Sequence, residues 1–524
     1  MVNTAPMTSS IRRPFAICSV ALCSVALPLT ACSTDHPEPA GTAAPSTAPV
    51  PAVTRMATVG PLHVSADHRI VDAADREVLL RGVNINAWGD YFQADPKLAP
   101  TLPITDADWD DMAGLGMSVV RLIVSWSRLE PQQGAFDGEY VEQIRVAIRS
   151  AADRGISTIV DMHQDAWGMF IATPPGTPCE SGREAAIGWD GAPEWATLTD
   201  GASTCRLPGF REGSQAVSAA FTNFYNNTNG IRDSLVATWG RLAGAVASEP
   251  GVVGFDLLNE PNPALPDSEQ VPRYSEFVSE SIDAIRSAES SAGSPRHLIV
   301  VEPVVGFPLA NHVATLPSDP DVVFSPHNYA EAIGPKILTI EQTFNAGVAG
   351  AAAMGVPLWV GEYGWWDTSA DTLPKLARYA AAEDTARTGG AWWQWRQACG
   401  DPHSIGVFGG VPDDQTHLNK VGCPDDRDLG RTEEFAAIVG RAYPRVAPGR
   451  IAATASDPRA GTFSMSGSGA AVGSELIIWL PGTTGAGAEP NVTGLAEMLR
   501  QPVPGGVYLT ARTTAADYSL SIAG

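Results

Sequence analysis

Eight short apolar runs, each followed by a stretch of helical periodicity, constrain this chain more than anything else in its sequence. They are Leu79 to Ile85, Ser118 to Val124, Ser157 to Met162, Val252 to Leu258, His297 to Val301, Val322 to Ser325, Leu358 to Val360 and Ala391 to Trp395. Each is too short for a helix and is bounded by turn residues, as a strand buried on both faces should be. Between runs the period lengthens: Ile231, Leu235, Trp239, Leu242 and Val246 fall on one helical face. Eight strand-then-helix units predict an α/β fold, a (β/α)8 TIM barrel, over residues 59–445, with its active site at the C-terminal ends of the strands. Gln164 to Pro250 is too long for one connection and reads as a large loop beside the barrel mouth. From residue 446 the pattern turns to Gly, Ser and Thr with period-two strands, as in Tyr518, Leu520 and Ile522, which predicts a small C-terminal β-sandwich over 446–524.

The N-terminus reads as an address. Arg12 and Arg13 precede an apolar run from Phe15 to Leu29 that is short for a membrane span. It ends in Leu29-Thr30-Ala31-Cys32, which resembles the bacterial lipobox, so residues 1–31 are expected to be a lipoprotein signal peptide and Cys32 the lipidated residue. An ordinary secretory leader is the alternative. Residues 32–58, rich in Pro, Ala and Thr, read as a tether. The chain is then exported, either anchored on the outer face of a bacterial membrane or secreted, and is expected to act as a monomer. Beyond Cys32 the cysteines are Cys179, Cys205, Cys399 and Cys423; of three possible pairings, proximity favours Cys179 with Cys205 and Cys399 with Cys423. A net charge of −24 repels phosphate backbones, so nucleic acid is not an expected partner. No Cys-x-x-Cys, His-Glu-x-x-His, P-loop or dinucleotide fingerprint is present, and no metal or cofactor is expected.

In a barrel, the ionisable residues that close each strand converge above the mouth. Three glutamates do so: Glu260 in Asn259-Glu260-Pro261, Glu302 after Leu298 to Val301, and Glu362 in Gly361-Glu362-Tyr363. Retaining glycoside hydrolysis needs one protonated carboxyl as general acid and an ionised one about 5 Å away as nucleophile. Glu260 and Glu362 suit these roles, because Asn259 supplies an amide for a sugar hydroxyl beside the first, whereas Glu302 has no such neighbour. Arg121, a cation inside the second apolar run, requires a buried partner: Glu362 as a catalytic pairing, or Asp161 or Asp256 as a structural one. His163 and Asp165 close the third strand, and His327 and Tyr329 the sixth; all four are expected to bind substrate. Trp393 offers an aromatic floor for a sugar ring, with Trp392 or Trp395 left to the core, and Trp88, Trp365 and Trp366 are further candidates for the cleft wall.

In this order, Arg121, His163, Asn259-Glu260-Pro261, His327-x-Tyr329, Glu362 and Trp393 resemble the signature of glycoside hydrolase family 5, retaining enzymes on a (β/α)8 barrel. Within it the chain is similar to the bacterial endoglycoceramidases, through Asp161-Met162-His163-Gln164-Asp165, Gly188-Trp189-Asp190-Gly191, Phe221-Thr222-Asn223-Phe224-Tyr225, Tyr443-Pro444-Arg445 and the C-terminal sandwich. The resemblance implies hydrolysis of the bond joining a glycan to ceramide, with Glu260 as acid/base and Glu362 as nucleophile. It does not extend to Ala87–Pro100, so no sugar-binding role passes to Lys97. A variant preferring β-galactosyl ceramides, a β-glucanase or other β-glycosidase on the same barrel, and an anchored glycan-binding protein are the competing readings.

Overall fold

The computed structural model describes Met56 and residues 58–524, apart from 310–313, 316–317, 334–336, 366–368, 404–417 and 485–487. Cys32, the leader, most of the tether and Trp366 lie outside the described residues.

The eight apolar runs form eight parallel strands, β1 (Arg81–Ile85), β2 (Val119–Ser125), β3 (Ser157–His163), β4 (Val252–Asp256), β5 (Leu298–Val301), β6 (Val322–Phe324), β7 (Val360–Tyr363) and β8 (Gly390–Trp392). Strands β1 to β6 pair in chain order, β8 pairs with β1, and β7 with β8. The ring closes between β6 and β7 through single bridges, Phe324 with Leu358 and Asn328 with Tyr363. The fold is thus a nearly closed TIM-type barrel. The strand register is parallel and continuous from Val119↔Ser157 to Ser125↔His163, so the polar C-terminal ends of β2 and β3 emerge together at one rim.

Alternation along the strands sorts the interior into layers. Two residues before the inward-facing Arg121, Asp161, Glu302 and Trp393 stand Val119, Ile159, Val300 and Ala391. These four belong to one apolar cluster with Tyr443, Val446 and Trp479. The barrel base is therefore sealed by the terminal β-domain, and the charged layer lies above that seal.

That domain is two antiparallel sheets sharing a core, but its membership differs from the sequence expectation. Its larger sheet runs Leu62–Val64, Ile70–Asp72, Glu77–Val78, Tyr443–Ala447, Glu475–Pro481, Gly506–Thr513, Leu495–Val503. Residues 62–78 and 443–445, which the sequence places in the barrel, thus belong to this sheet. Strands of two or three residues cannot persist alone, and these are held by pairings such as Val446↔Val78. Trp479 is wholly buried, donates its indole N–H to Gly440 O at 2.9 Å, and packs so closely on Gly116 that a Cβ there would lie 2.2 Å from the ring. Gly116 also has φ +70°, where only glycine is unstrained.

The long segment after β3 is not all loop: helices Gln215–Tyr225 and Ile231–Val246 fill its second half. Disulfides join Cys179 to Cys205 within its irregular first half and Cys399 to Cys423 after β8. Trp479→Ala should cost about 3–5 kcal/mol. Because the barrel base and the β-domain share one apolar cluster, calorimetry should show a single transition that moves down as a whole; two separate transitions, only one of them shifted, would contradict that coupling.

Candidate active site

Arg121, from the centre of β2, is fully buried on the barrel axis and faces four carboxylates. Nε donates to Asp256 Oδ2 at 2.8 Å, and Nη1 to Glu362 Oε1 at 2.7 Å. Nη2 reaches Glu302 Oε1 at 2.8 Å and Asp161 Oδ1 at 2.9 Å. Asn84 and Asn259 add amide oxygens at 3.1 and 3.0 Å. The sequence posed Glu362 against Asp161 or Asp256 as partners; one guanidinium serves all of them. Burial opposes its charge, but the carboxylates outweigh that and hold Arg121 above its ordinary range. One carboxyl is shifted as well: burial, then the charge of Glu302, push Asp256 well above the usual carboxylate range.

Above this layer stand Glu260 and Glu362. His327 Nδ1 lies 2.8 Å from Glu260 Oε1 and 3.4 Å from Glu362 Oε2, while its Nε2 is 3.3 Å from Glu302 Oε1. The ligand atoms of Glu260, His327 and Glu362 all lie within 4.8 Å of one another. Among the described residues, those three could hold a metal ion; the equally compact Asp161, Asp256 and Glu302 have the Arg121 guanidinium among them. Tyr329 donates its hydroxyl to Glu362 Oε2 at 2.6 Å. Glu260 has φ +38°, unusual outside glycine. It is held there by its N–H to Glu302 Oε2 at 2.8 Å and by Gln164 Nε2 to its carbonyl at 2.9 Å. Such strain persists where surroundings over-determine it, commonly at functional sites.

On one side of the pair, His163 is buried, holds Asp161 through Nδ1 at 2.8 Å and stacks on Trp393 with centroids 5.4 Å apart and planes at 15°. Asp165 receives Arg211 Nη1 at 2.7 Å and His403 Nε2 at 3.2 Å. Arg211 also pairs with Glu260 Oε2 and Glu212. Although burial works against it, Arg211 with His163 and His403 holds Asp165 well below the ordinary range. On the other side the cavity, of about 530 Å³, is lined by Val304, Val305, Phe307, Leu309, Ile333 and Ile337.

Most of the residues expected from sequence line this cavity: Glu260, Glu362, His163, Asp165, His327, Tyr329 and Trp393. Arg121 lies beneath it. Asn259 is wholly buried, with Oδ1 on Arg121 and Nδ2 donating to Gln164 O at 2.9 Å, so it braces the charged layer. Trp365 is core, donating to Ala330 O at 2.8 Å, and Trp392 and Trp395 are also fully buried. Trp88 and Lys97 are not part of the lining. Sequence reasoning missed Arg211, Glu212 and His403, which loops bring in, and set Glu302 aside although it touches Arg121, His327 and the Glu260 backbone. A strand-end glutamate following four apolar residues was signal enough for Glu302; for Arg211, the signal was Gly209-Phe210-Arg211-Glu212-Gly213 beside a disulfide.

The family model described as Cellulase (glycosyl hydrolase family 5) matches residues 71–398. Endoglycoceramidase I of Rhodococcus hoagii (strain 103S) is 30% identical over 280 residues, which are 50% of this chain and 51% of that one. An endoglycoceramidase of Cyanea nozakii is 25% identical over 217 residues, 37% of this chain and 40% of that one. The chain thus spans about half the length, or less, of these curated relatives. Among solved structures, an endogalactoceramidase superposes with a TM-score of 0.80 at 40% identity, over 88% of this chain and 100% of that one. Endo-glycoceramidase II from Rhodococcus sp., at 21% identity and TM-score 0.67 over 87% of this chain and 100% of that one, shares the fold.

Arg121→Met should cost about 3–5 kcal/mol at neutral pH, because it leaves buried carboxylates without their cation. Their folded-state pKa values then rise above the unfolded ones, so the folded variant binds extra protons and the deficit shrinks as pH falls. Thermal melts of both proteins at pH 7 and pH 5 check this; equal stability at pH 7, or a gap that widens at pH 5, would contradict it.

Proposed function

The chain belongs to glycosyl hydrolase family 5 and is a glycosidase, and from that premise we propose that it cleaves the β-glycosidic bond between a glycan and ceramide with retention. One observation carries the reading: a single cavity is polar and aromatic at one end and apolar at the other, with two carboxylates where the ends meet. Glu260 is tied through Arg211 to Asp165 on the polar side, while Glu302 leads directly into Pro303 to Leu309 on the apolar side. A sugar stacked on Trp393 beside Asp165 and His403 directs its anomeric carbon at Glu362, and the aglycone then runs along Val304, Phe307, Leu309 and Ile337. A glucan would instead meet aliphatic side chains at its second half, with few polar groups for its hydroxyls.

In the proposed reaction, Glu362 attacks the anomeric carbon while Glu260 gives its proton to the departing ceramide oxygen. Water activated by Glu260 then releases the glycan. The oxygens within 4.8 Å agree with the short carboxylate spacing of retaining enzymes, because no water need fit between nucleophile and sugar. Tyr329 and Arg121 fix Glu362 from two directions and receive the charge it sheds and regains. Galactose as the sugar next to ceramide is favoured by the 40% identity to a protein named endogalactoceramidase.

Residues 59–524 incubated in detergent with lactosylceramide, a galactosylceramide oligosaccharide and a soluble β-glucan should release intact glycan and free ceramide, the galactosyl substrate fastest; cleavage of the glucan alone would overturn the substrate. Glu362→Ala should lose several orders of magnitude in kcat on every substrate. Glu260→Ala should lose about 10²–10⁴ on the glycolipid but far less on an aryl glycoside whose leaving group needs no proton. Equal losses on both would remove Glu260 from the acid's role.

We further propose that the protein is exported and held to the membrane by lipid on Cys32. An acidic protein gains no electrostatic attraction to anionic lipid, so acyl chains would supply the retention that charge cannot. Palmitate labelling in a bacterial host should be lost in Cys32→Ala; unchanged labelling would refute it.

A further inference from the structure

Glu260 has no oxygen to spare. Oε1 faces His327 Nδ1 at 2.8 Å and Oε2 is taken by Arg211 Nη2. A general acid must present a protonated oxygen to the leaving group, and a guanidinium or imidazolium on the carboxyl opposes that proton, so one of these contacts has to loosen before the bond is cleaved. The two partners are not equally free to go. His327 closes a barrel strand, is nearly buried, and is fixed from its far side by Glu302. Arg211 sits in the 207–213 loop, which forms part of the cavity wall, and has other acceptors: Asp165 Oδ1 at 2.7 Å, Glu212, and the face of Trp189 at 5.3 Å. Asp165 and Glu212 remain beside it to balance its charge when it moves off Glu260.

We propose that Arg211 is a latch on the acid: it holds Glu260 as a carboxylate in the free protein and is pushed off by the sugar, so that the acid is armed only when substrate is in place. The inference rests on Glu260 being the acid.

The charges that face Glu260 agree with this. Arg211 reaches it from the loop, His327 from beyond β6, Glu302 from β5 and Glu362 from β7, with Asp165 and Glu212 behind Arg211. Burial alone would raise Glu260, but Arg211 and then His327 hold it down to about 2. Burial, with the charge of Glu260 added, moves Glu362 upward despite His327 and Arg121. Arg211 thus opposes the protonated form of Glu260 that an acid needs. Once Arg211 withdraws, Glu260 regains the affinity for a proton that its burial favours, and takes one up from solvent in the cavity. Glu362 meanwhile accepts from both Arg121 and Tyr329, the geometry of a nucleophile held ready.

The test compares two pH profiles on an alkyl β-glycoside of the sugar the protein releases, a leaving group poor enough for its departure to limit turnover. The alkaline limb of kcat/KM reports the free protein and that of kcat the complex. In the wild type the kcat limb should lie about one pH unit or more above the kcat/KM limb, because a cation beside a carboxyl depresses it by about that much. Arg211→Gln should raise the kcat/KM limb and close the gap, and Arg211→Lys should preserve it. Coincident limbs in the wild type, or a gap that survives in Arg211→Gln, would overturn the latch. A fall in kcat for Arg211→Gln with the gap unchanged would make Arg211 a sugar-binding residue instead. The wild-type comparison stands even if a variant does not fold. Failure here leaves the acid's role intact if Glu260→Ala still spares the aryl glycoside.

Discussion

A single buried guanidinium organises this molecule. Arg121 occupies the barrel axis where four strands deliver Asp161, Asp256, Glu302 and Glu362, and no other cation could be shared among so many acceptors, since only a planar fork offers five N–H donors in fixed directions. In a low-dielectric interior, neither the cation nor the carboxylates could remain charged alone. Their mutual attraction lets the barrel carry a polar layer directly above an apolar base. Everything with chemical capacity is built on that layer: Glu362 and His327 take their positions from it, and Glu260 is bent into an unusual backbone angle by Glu302.

Below, the β-domain closes the barrel with Tyr443, Val446 and Trp479; above, loops set the walls. The division of labour is physical. Strands hold the carboxylates in positions that thermal motion cannot blur, whereas the groups that must yield to a substrate, Arg211 foremost, ride on a connection. The apolar wall from Val304 to Leu309 is an extension of β5, so the same strand that braces Glu260 also begins the surface proposed to receive a lipid tail.

Legibility followed the same line. The eight strands could be read because runs such as Val119 to Val124 and Leu298 to Val301 are rich in β-branched residues and too short for helices. The paired glutamates could be read because a strand end fixes where a side chain points. Alternation also explains the failures: Glu362 points inward, so the chain beyond Tyr363 turns its tryptophan at 365 toward Tyr363 and Tyr379 and away from the cleft. His403 was invisible because no periodicity constrains a loop, and Arg211 showed only in a glycine-flanked stretch beside a disulfide; their approach to Asp165 spans 238 and 46 residues of chain. The strands at 62–78 were missed for a related reason: two or three residues carry no pattern, and the pairing that joins them to the rest of the sheet, Val78 with Val446, spans more than 360 residues.

The central claim is that Glu362, steadied by Arg121 and Tyr329, forms the covalent bond to the sugar. Incubation with a 2-deoxy-2-fluoro-β-glycoside that bears a good leaving group, followed by proteolysis and mass spectrometry, tests it most directly. The account predicts a stable glycosyl ester on the peptide containing Glu362. An ester on Glu260 or Glu302, or turnover that inverts the anomeric centre with no ester formed, would contradict it.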